Sequence, residues 1–245
     1  MQIEGCAALV TGANRGLGRV FTEALISAGA AKVYAAARDP ATIHDSRVVP
    51  VKLNITSAED VAAAAGICAD VNLLINNAGA MLATPLFVEE TEAALRQEME
   101  VNVFGLLRMA QAFAPILAGN GGGVMANMLS VVSWYVYPFN STYCASKFAA
   151  QAITDALRIQ LKAQGTLVMG IYAGFIDTDM ASNVSGEKTP PRQVAERTLA
   201  GIRNRQHHVH ADQAAENLWT MTRNQPEQLE EWAQQLWDER RAWVV

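Results

Sequence analysis

Cysteine is scarce. The chain has three, Cys6, Cys68 and Cys144, in neither a metal-ligand spacing nor an even framework for disulfides. They read as reduced structural thiols; Cys144 stands out only as the neighbour of Tyr143. An excess of positive charge is also missing. The formal charge is -5, spread without a basic stripe, which argues against nucleic acid as the main partner. No apolar run reaches the length of a membrane span, and the opening MQIEGCAALVTG lacks a charged-then-apolar leader pattern. A cytosolic protein without a membrane partner is expected. There it would not meet glycosylation, despite the sequon Asn140-Ser141-Thr142. Repeats, linkers and low-complexity tracts are absent, and NGGG at 120–123 is a turn into the next strand. Of the few histidines, His207, His208 and His210 follow the alternation of a short strand, with no carboxylate or cysteine set beside them. No metal is expected.

What is present is apolar material: 51% of 245 residues, enough for a sizeable core. Short apolar runs at 7–10, 32–37, 48–53, 73–75, 124–129 and 167–173 read as buried strands. Helical patterns lie between and after them, at 16–28, 58–68, 89–118, 142–164 and 191–204. Strand–helix alternation of this kind implies a doubly wound parallel sheet, Rossmann-like, in three α/β/α layers, with 1–245 as a single domain. Residues 175–190, rich in Asp, Thr, Ser and Gly, read as a surface loop, and 175–204 as a substrate lid. Residues 226–243 carry Leu229, Trp232, Ala233, Leu236, Trp237 and Trp243 on one apolar helix face. That face is expected either to pack on its own body or to join subunits of a homo-oligomer.

Ligands of such sheets bind beyond the carboxyl ends of the strands, and the motifs fall there. The first strand runs into Thr11-Gly12-Ala13-Asn14-Arg15-Gly16-Leu17-Gly18 and then a helix. Gly12 permits the tight turn, Gly16 lets backbone approach a pyrophosphate, and Gly18 allows close helix–strand packing at a helix N-terminus. A dinucleotide is therefore expected along residues 12 and 14–18. About 20 residues on, where an acid would bind the ribose of NAD, the second strand ends in YAAARDP. Ala37 takes the acid's place, Arg38 follows, and Arg15 lies in the glycine turn. Two guanidinium groups suit a 2′-phosphate, so NADP(H) is expected, with NAD(H) possible. A one-residue shift would instead offer Asp39. Further along, Tyr143 and Lys147 stand four apart at the start of a helix, on one face.

These motifs resemble those of the single-domain short-chain dehydrogenase/reductases, over residues 3 to about 200. The resemblance rests on residues 11–18, on Asn76-Asn77-Ala78-Gly79, on Asn102 in VNVFG, on Ser130 in MLSVVSW, and on Tyr143-Cys144-Ala145-Ser146-Lys147. It implies a nicotinamide cofactor, no metal, and interconversion of an alcohol and a carbonyl. It also implies a catalytic set of Asn102, Ser130, Tyr143 and Lys147. Tyr143 and Lys147 would touch the cofactor as well. Asn54 and Ile55 follow the third strand, where the family often has Asp to hold adenine. Asn77, Ala78 and Gly79 would shape the adenosine side. Ala173-Gly174 replaces the usual Pro-Gly, and Ile176 and Thr178 match the positions that meet the carboxamide. HHVHAD replaces a longer last strand, so the assembly is expected as dimer or tetramer rather than fixed by the family.

Reduction needs a proton on oxygen as well as a hydride on carbon. A phenol, of reference pKa about 10, can serve if a cation assists. At ~4–5 Å and an effective dielectric of ~20, the Lys147 charge is worth roughly 3–4 kcal/mol, opposed by burial of the phenol. Ser130 can donate to the substrate oxygen, and Asn102 reads as a polar bend holding water that links Lys147 to solvent. Met81, Trp134, Tyr137, Phe175 and Met180 follow strand ends and wall an expected apolar pocket; Leu82, Tyr135 and Phe139 add to it. The expected function is NADPH-dependent reduction of an apolar or aromatic ketone or aldehyde. An NAD-dependent alcohol dehydrogenase, a nucleotide-sugar epimerase or dehydratase, and a nucleotide-sensing protein are the alternatives.

Overall fold

Ala8, Leu9 and Val10 of β1 (Ala7–Thr11) are all at 0% exposure. A strand covered on both faces belongs in the middle of a parallel sheet. In the computed structural model, which describes residues 2–240, it lies there. The other strands are β2 (Lys32–Ala37), β3 (Val49–Lys52), β4 (Leu73–Asn76), β5 (Val124–Met128), β6 (Leu167–Tyr172) and β7 (His208–His210). They pair in parallel in the order β3-β2-β1-β4-β5-β6-β7. The order reverses between β1 and β4, whose carboxyl ends flank the crevice where such sheets take ligands.

Alternation along each strand feeds two cores. Ala8 and Val10 face α1 (Gly16–Ser27) and α6 (Pro191–Arg203), through Phe21, Leu25, Val194, Leu199 and Ile202. Leu9 and Leu74 face α2 (Ala58–Ile67), α4 (Leu106–Gly119) and α5 (Ser141–Gln160), through Val61, Phe113, Leu117 and Leu157. Each large side chain so buried contributes about 1.5–3 kcal/mol. The doubly wound three-layer fold is the one expected.

Three local features differ from the sequence reading. The helix expected at 89–118 is α3 (Thr91–Met99), a π-turn (Glu100–Gly105) and α4 in one continuous rod. By length and composition this rod, Thr91–Gly119, is apolar enough to cross a membrane, contrary to the expectation that nothing here is. Its Met109, Ala110, Phe113 and Leu117 are nevertheless buried in the core. Second, α7 (Gln213–Asn224) was not foreseen, because Ala215 is its one buried residue and its apolar stripe is short. Third, the lid proposed over 175–204 is too long. Residues 191–203 form α6, a core helix, so only 175–190 remains a loop, closed at its base by the Ile176–Thr189 bridge. The C-terminal helix α8 (Pro226–Arg240) packs on its own chain, one of the two arrangements expected of it. Leu229 is buried, Trp237 meets Phe139 with ring centroids at 5.2 Å, and Trp232 remains 42% exposed. Trp243 lies outside the described residues.

Candidate active site

At the end of β1 the chain must turn sharply, and Gly12 (φ 66°) and Gly16 (φ 52°) take left-handed conformations to do so. Gly18 serves packing: a Cβ there would lie 2.1 Å from the Gly12 carbonyl oxygen. Thr11 fastens the turn to the neighbouring strand. Its Oγ1 accepts from the amides of Asn77 and Ala78, both at 2.9 Å, while Asn77 Nδ2 donates to the Thr11 carbonyl at 2.9 Å. The N-terminus of α1 has neither a side-chain cap nor an acidic residue in its first turn, so its amides and dipole are left for an anion.

The second strand ends as its sequence implied. Ala37 is buried, and Arg38 is exposed with no partner among the described residues. Asp39 turns its carboxylate onto the Ala41 amide at 3.0 Å, capping the short helix Pro40–Thr42. Arg15 does not point to Arg38 but pairs across the crevice with Asp179 at 3.0 Å, both side chains being largely exposed. Asn54, where the family resemblance implies a contact with adenine, is occupied locally: its Oδ1 accepts from Thr56 N and Oγ1 at 3.2 and 2.9 Å. Ile55 is buried against the π-turn at Gly105.

Asn102 sits in that π-turn, buried. Its Oδ1 accepts the Ala80 amide at 2.9 Å. Its Nδ2 donates to the Ala80 carbonyl at 2.8 Å and to Ser146 Oγ at 2.9 Å. Ser146 passes the contact to the Tyr143 carbonyl at 2.8 Å. Lys147 Nζ donates to the Met128 carbonyl at 2.9 Å and lies 5.5 Å from the Tyr143 ring centroid. Ser130, at the end of β5, caps the turn Val131–Ser133 and donates its hydroxyl to the Ala173 carbonyl at 3.5 Å, close enough to Tyr143 to ease ionisation of its phenol. A Cβ on Gly79 would come 3.2 Å from Asn102 Oδ1 and 4.0 Å from Lys147 Nζ, so the loop after β4 closes on the same point. The four expected side chains are thus together.

Their protonation differs from the expectation. Burial pushes the Tyr143 phenol above its ordinary range, Glu98 and Cys144 add to the rise, and the nearby Ser130 hydroxyl only partly opposes it. Burial also lowers Lys147 to about 8, against the pull of Glu98. In the protein alone, desolvation therefore sets the direction for both groups, holding the phenol protonated and easing proton loss from Lys147.

The substrate side divides in two. Phe175 and Met180 are exposed, with Met81 half-buried, along the loops that follow β4 and β6. Gly174, Ile176 and Thr178 lie in the same segment after β6; a Cβ on Gly16 would meet Thr178 at 3.5 Å, so this segment overhangs the glycine turn. Trp134 and Tyr137 are claimed elsewhere. Trp134 packs on Tyr172 at 4.1 Å and Trp219 at 4.8 Å, whereas Tyr137 meets Phe139 and Trp232. A cavity of about 550 Å³ lies beneath α8, lined by Trp134, Tyr135, Phe148, Leu229 and Trp237 and by none of the four catalytic candidates. Among the described residues no three His, Cys, Asp or Glu side chains are grouped to hold a metal. His208 and His210 pack among the rings of Tyr172, Trp134 and Trp219.

Two residues escaped the sequence reading. Glu98 stands four before Asn102, hence on the same helix face, and is fully buried beside the set. Asp212 precedes an alanine-rich helical start as an N-cap and holds the loop after β6.

The short chain dehydrogenase family profile matches residues 6–189. The chain belongs to the short-chain dehydrogenase/reductase family. It is thereby an oxidoreductase of a family that uses nicotinamide cofactors. A short-chain dehydrogenase of Burkholderia cenocepacia, solved in complex with NADP, is 39% identical with a TM-score of 0.92, covering 95% of this chain and 99% of its own. The galactitol 2-dehydrogenase (L-tagatose-forming) of Cereibacter sphaeroides is 33% identical over 191 residues, 73% of this chain and 74% of that protein. Human 17-beta-hydroxysteroid dehydrogenase type 1 is 32% identical over 206 residues, 78% of this chain and 62% of its own length.

Proposed function

We propose that this short-chain dehydrogenase reduces an apolar or aromatic ketone or aldehyde with NADPH, and oxidises the corresponding alcohol in reverse. The observation that carries the reading is Tyr143 with the buried Lys147 Nζ 5.5 Å from its ring, beside Ser130 at the mouth of the sheet's crevice. A carbonyl oxygen beside Ser130 and Tyr143 meets two hydroxyl donors as negative charge grows on it. Tyr143 yields its proton to that oxygen. Lys147, when charged, stabilises the phenolate left behind. Asn102 keeps the pair in register, through Ser146 on one side and Ala80 on the other.

The residues present fit a nicotinamide dinucleotide. Gly12, Asn14, Arg15, Gly16, Leu17 and Gly18 would hold the pyrophosphate at the uncapped end of α1. Asn77, Ala78 and Gly79 would line the adenosine side, Tyr143 and Lys147 the nicotinamide ribose, and Gly174, Ile176 and Thr178 the carboxamide. When bound, the nicotinamide supplies or accepts the hydride. The absence of an acid at Ala37, the free Arg38 and the commitment of Asp39 to a cap all favour a 2′-phosphate.

A second reading comes from the galactitol 2-dehydrogenase relative, which points to polyol oxidation. The exposed apolar residues Leu82, Phe175 and Met180 favour the first. NADPH consumption with a panel of aromatic ketones, aliphatic ketones and ketoses, and NADP⁺ or NAD⁺ reduction with polyols, separates them. Turnover confined to ketoses and polyols would replace the first reading with the second, and no turnover in either panel would overturn both.

A further inference from the structure

Glu98 of α3 has no solvent exposure. A carboxylate at that depth is costly unless its oxygens are engaged. Its Oε1 accepts two backbone amides, Leu82 N at 2.6 Å and Ala83 N at 3.1 Å. Its Oε2 has no hydrogen-bond partner among the described residues. The turn it grips is an uncommon one: Ala83 has φ 58°, a left-handed conformation that a side chain adopts only where its surroundings impose it. The next residue continues the chain of contacts. Thr84 N donates to Thr142 Oγ1 at 3.2 Å, and the Thr142 amide donates to the Thr84 carbonyl at 3.1 Å. Thr142 immediately precedes Tyr143. The turn is thus pinned to α3 on one side and to the foot of the tyrosine on the other.

We propose that Glu98 is a positioning residue for Tyr143, gripping the turn fastened through Thr84 to Thr142 and setting one buried negative charge beside the Tyr143–Lys147 pair. The inference rests on Tyr143 being the proton donor. The titratable groups that feel the charge are Tyr143, Cys144 and Lys147, all on α5, the helix packed against α3. Residues 81–84, on the other side, carry no titratable group. The carboxylate adds to the rise of the phenol and opposes the fall of the ammonium. Both influences keep protons on the pair, which is the state that reduction consumes.

Glu98→Gln tests this, since the amide oxygen can still receive the two backbone N–H groups while the charge is gone. Without the charge both Tyr143 and Lys147 release protons more easily. The basic limb of the kcat/KM profile for carbonyl reduction is therefore expected to move down by about one pH unit. Glu98→Asp keeps the charge but shortens the reach, so its limb should stay near the wild-type position while kcat falls. An unmoved limb in folded Glu98→Gln, or an equal shift in Glu98→Asp, would overturn the proposal. If Glu98→Gln does not fold, Glu98→Ser carries the same test, and failure of both to fold would assign Glu98 to stability instead and overturn it too. Tyr143→Phe measured alongside keeps the two readings apart. Full activity there defeats the proton-donor assignment, whereas an inactive Tyr143→Phe with an unmoved Glu98→Gln limb defeats only the role of Glu98.

Discussion

The Asp212 carboxylate accepts the Gly174 amide at 2.8 Å, so the first turn of α7 and the chain leaving β6 form one joint. The same oxygen accepts Thr189 Oγ1 at 2.9 Å, and the other caps α7 through the Ala215 amide at 2.7 Å. Asp212 is almost wholly buried, so truncating it strands three donors. Asp212→Ala should cost about 2–4 kcal/mol, read from a urea midpoint. Because residues 174 and 189 bound the loop that overhangs the glycine turn, KM for the cofactor should rise by more than kcat falls. An unchanged KM would confine the joint to stability.

Tyr143→Phe removes one hydroxyl and leaves the ring in place. Loss of a general acid typically lowers kcat by 10²–10⁴-fold, about 3–5 kcal/mol in the barrier. The expected outcome is a loss in that range with cofactor affinity, measured by fluorescence quenching, close to wild type. Retention of more than about a tenth of kcat would remove Tyr143 from the chemistry.

Cofactor choice follows from Ala37, Arg38 and Arg15. A charge-assisted hydrogen bond to a 2′-phosphate contributes roughly 1.5–3 kcal/mol before desolvation. Wild type should therefore show the higher kcat/KM with NADPH, and Ala37→Asp with Arg38→Leu should reverse the order. Arg15→Ala has a smaller expected effect, since in the free protein Arg15 already pairs with Asp179. A wild-type preference for NADH would mean that Asp39 leaves its cap to bind ribose.

Acid should loosen the edge of the sheet. Burial lowers His208 to about 4 from an ordinary 6.5, with Arg158 adding to the effect, and His210 shifts in the same direction. Between those two values the unfolded chain binds a proton that the folded chain does not. Stability is therefore whole above about 6.5 and falls as pH drops towards about 4, by roughly 1–3 kcal/mol for this side chain. Urea midpoints at pH 7 and 4.5 for wild type and His208→Gln would isolate the contribution. A drop as steep in the variant as in wild type would place the acid sensitivity in other groups.

Sequence legibility followed the range of each interaction. The glycine turn, the β2 end and the Tyr143–Lys147 spacing are local, because backbone geometry and helical pitch fix them within a few residues. The sheet was legible because strands buried on both faces must read as apolar runs. Glu98 was not, since its partners lie fifteen and sixteen residues upstream and nothing in RQEME marks one glutamate as buried. The loop aromatics failed for a related reason. Trp134 and Tyr137 belong where a pocket should be, but α7 and α8, whose packing is not written locally, claim them. Asn54 looked free for adenine until its own two-residue turn took the oxygen.

The π-turn at Glu100–Gly105 has a consequence for how such a chain can change length. It accommodates one more residue than a plain α-helical turn, inside a rod that is otherwise regular. Deleting a single residue there would restore the α-helix and leave the helix before it facing as it does now, because the bulge takes up the extra residue without turning the rest. What the deletion would lose is the widened turn from which Asn102 reaches both the Ala80 carbonyl and Ser146.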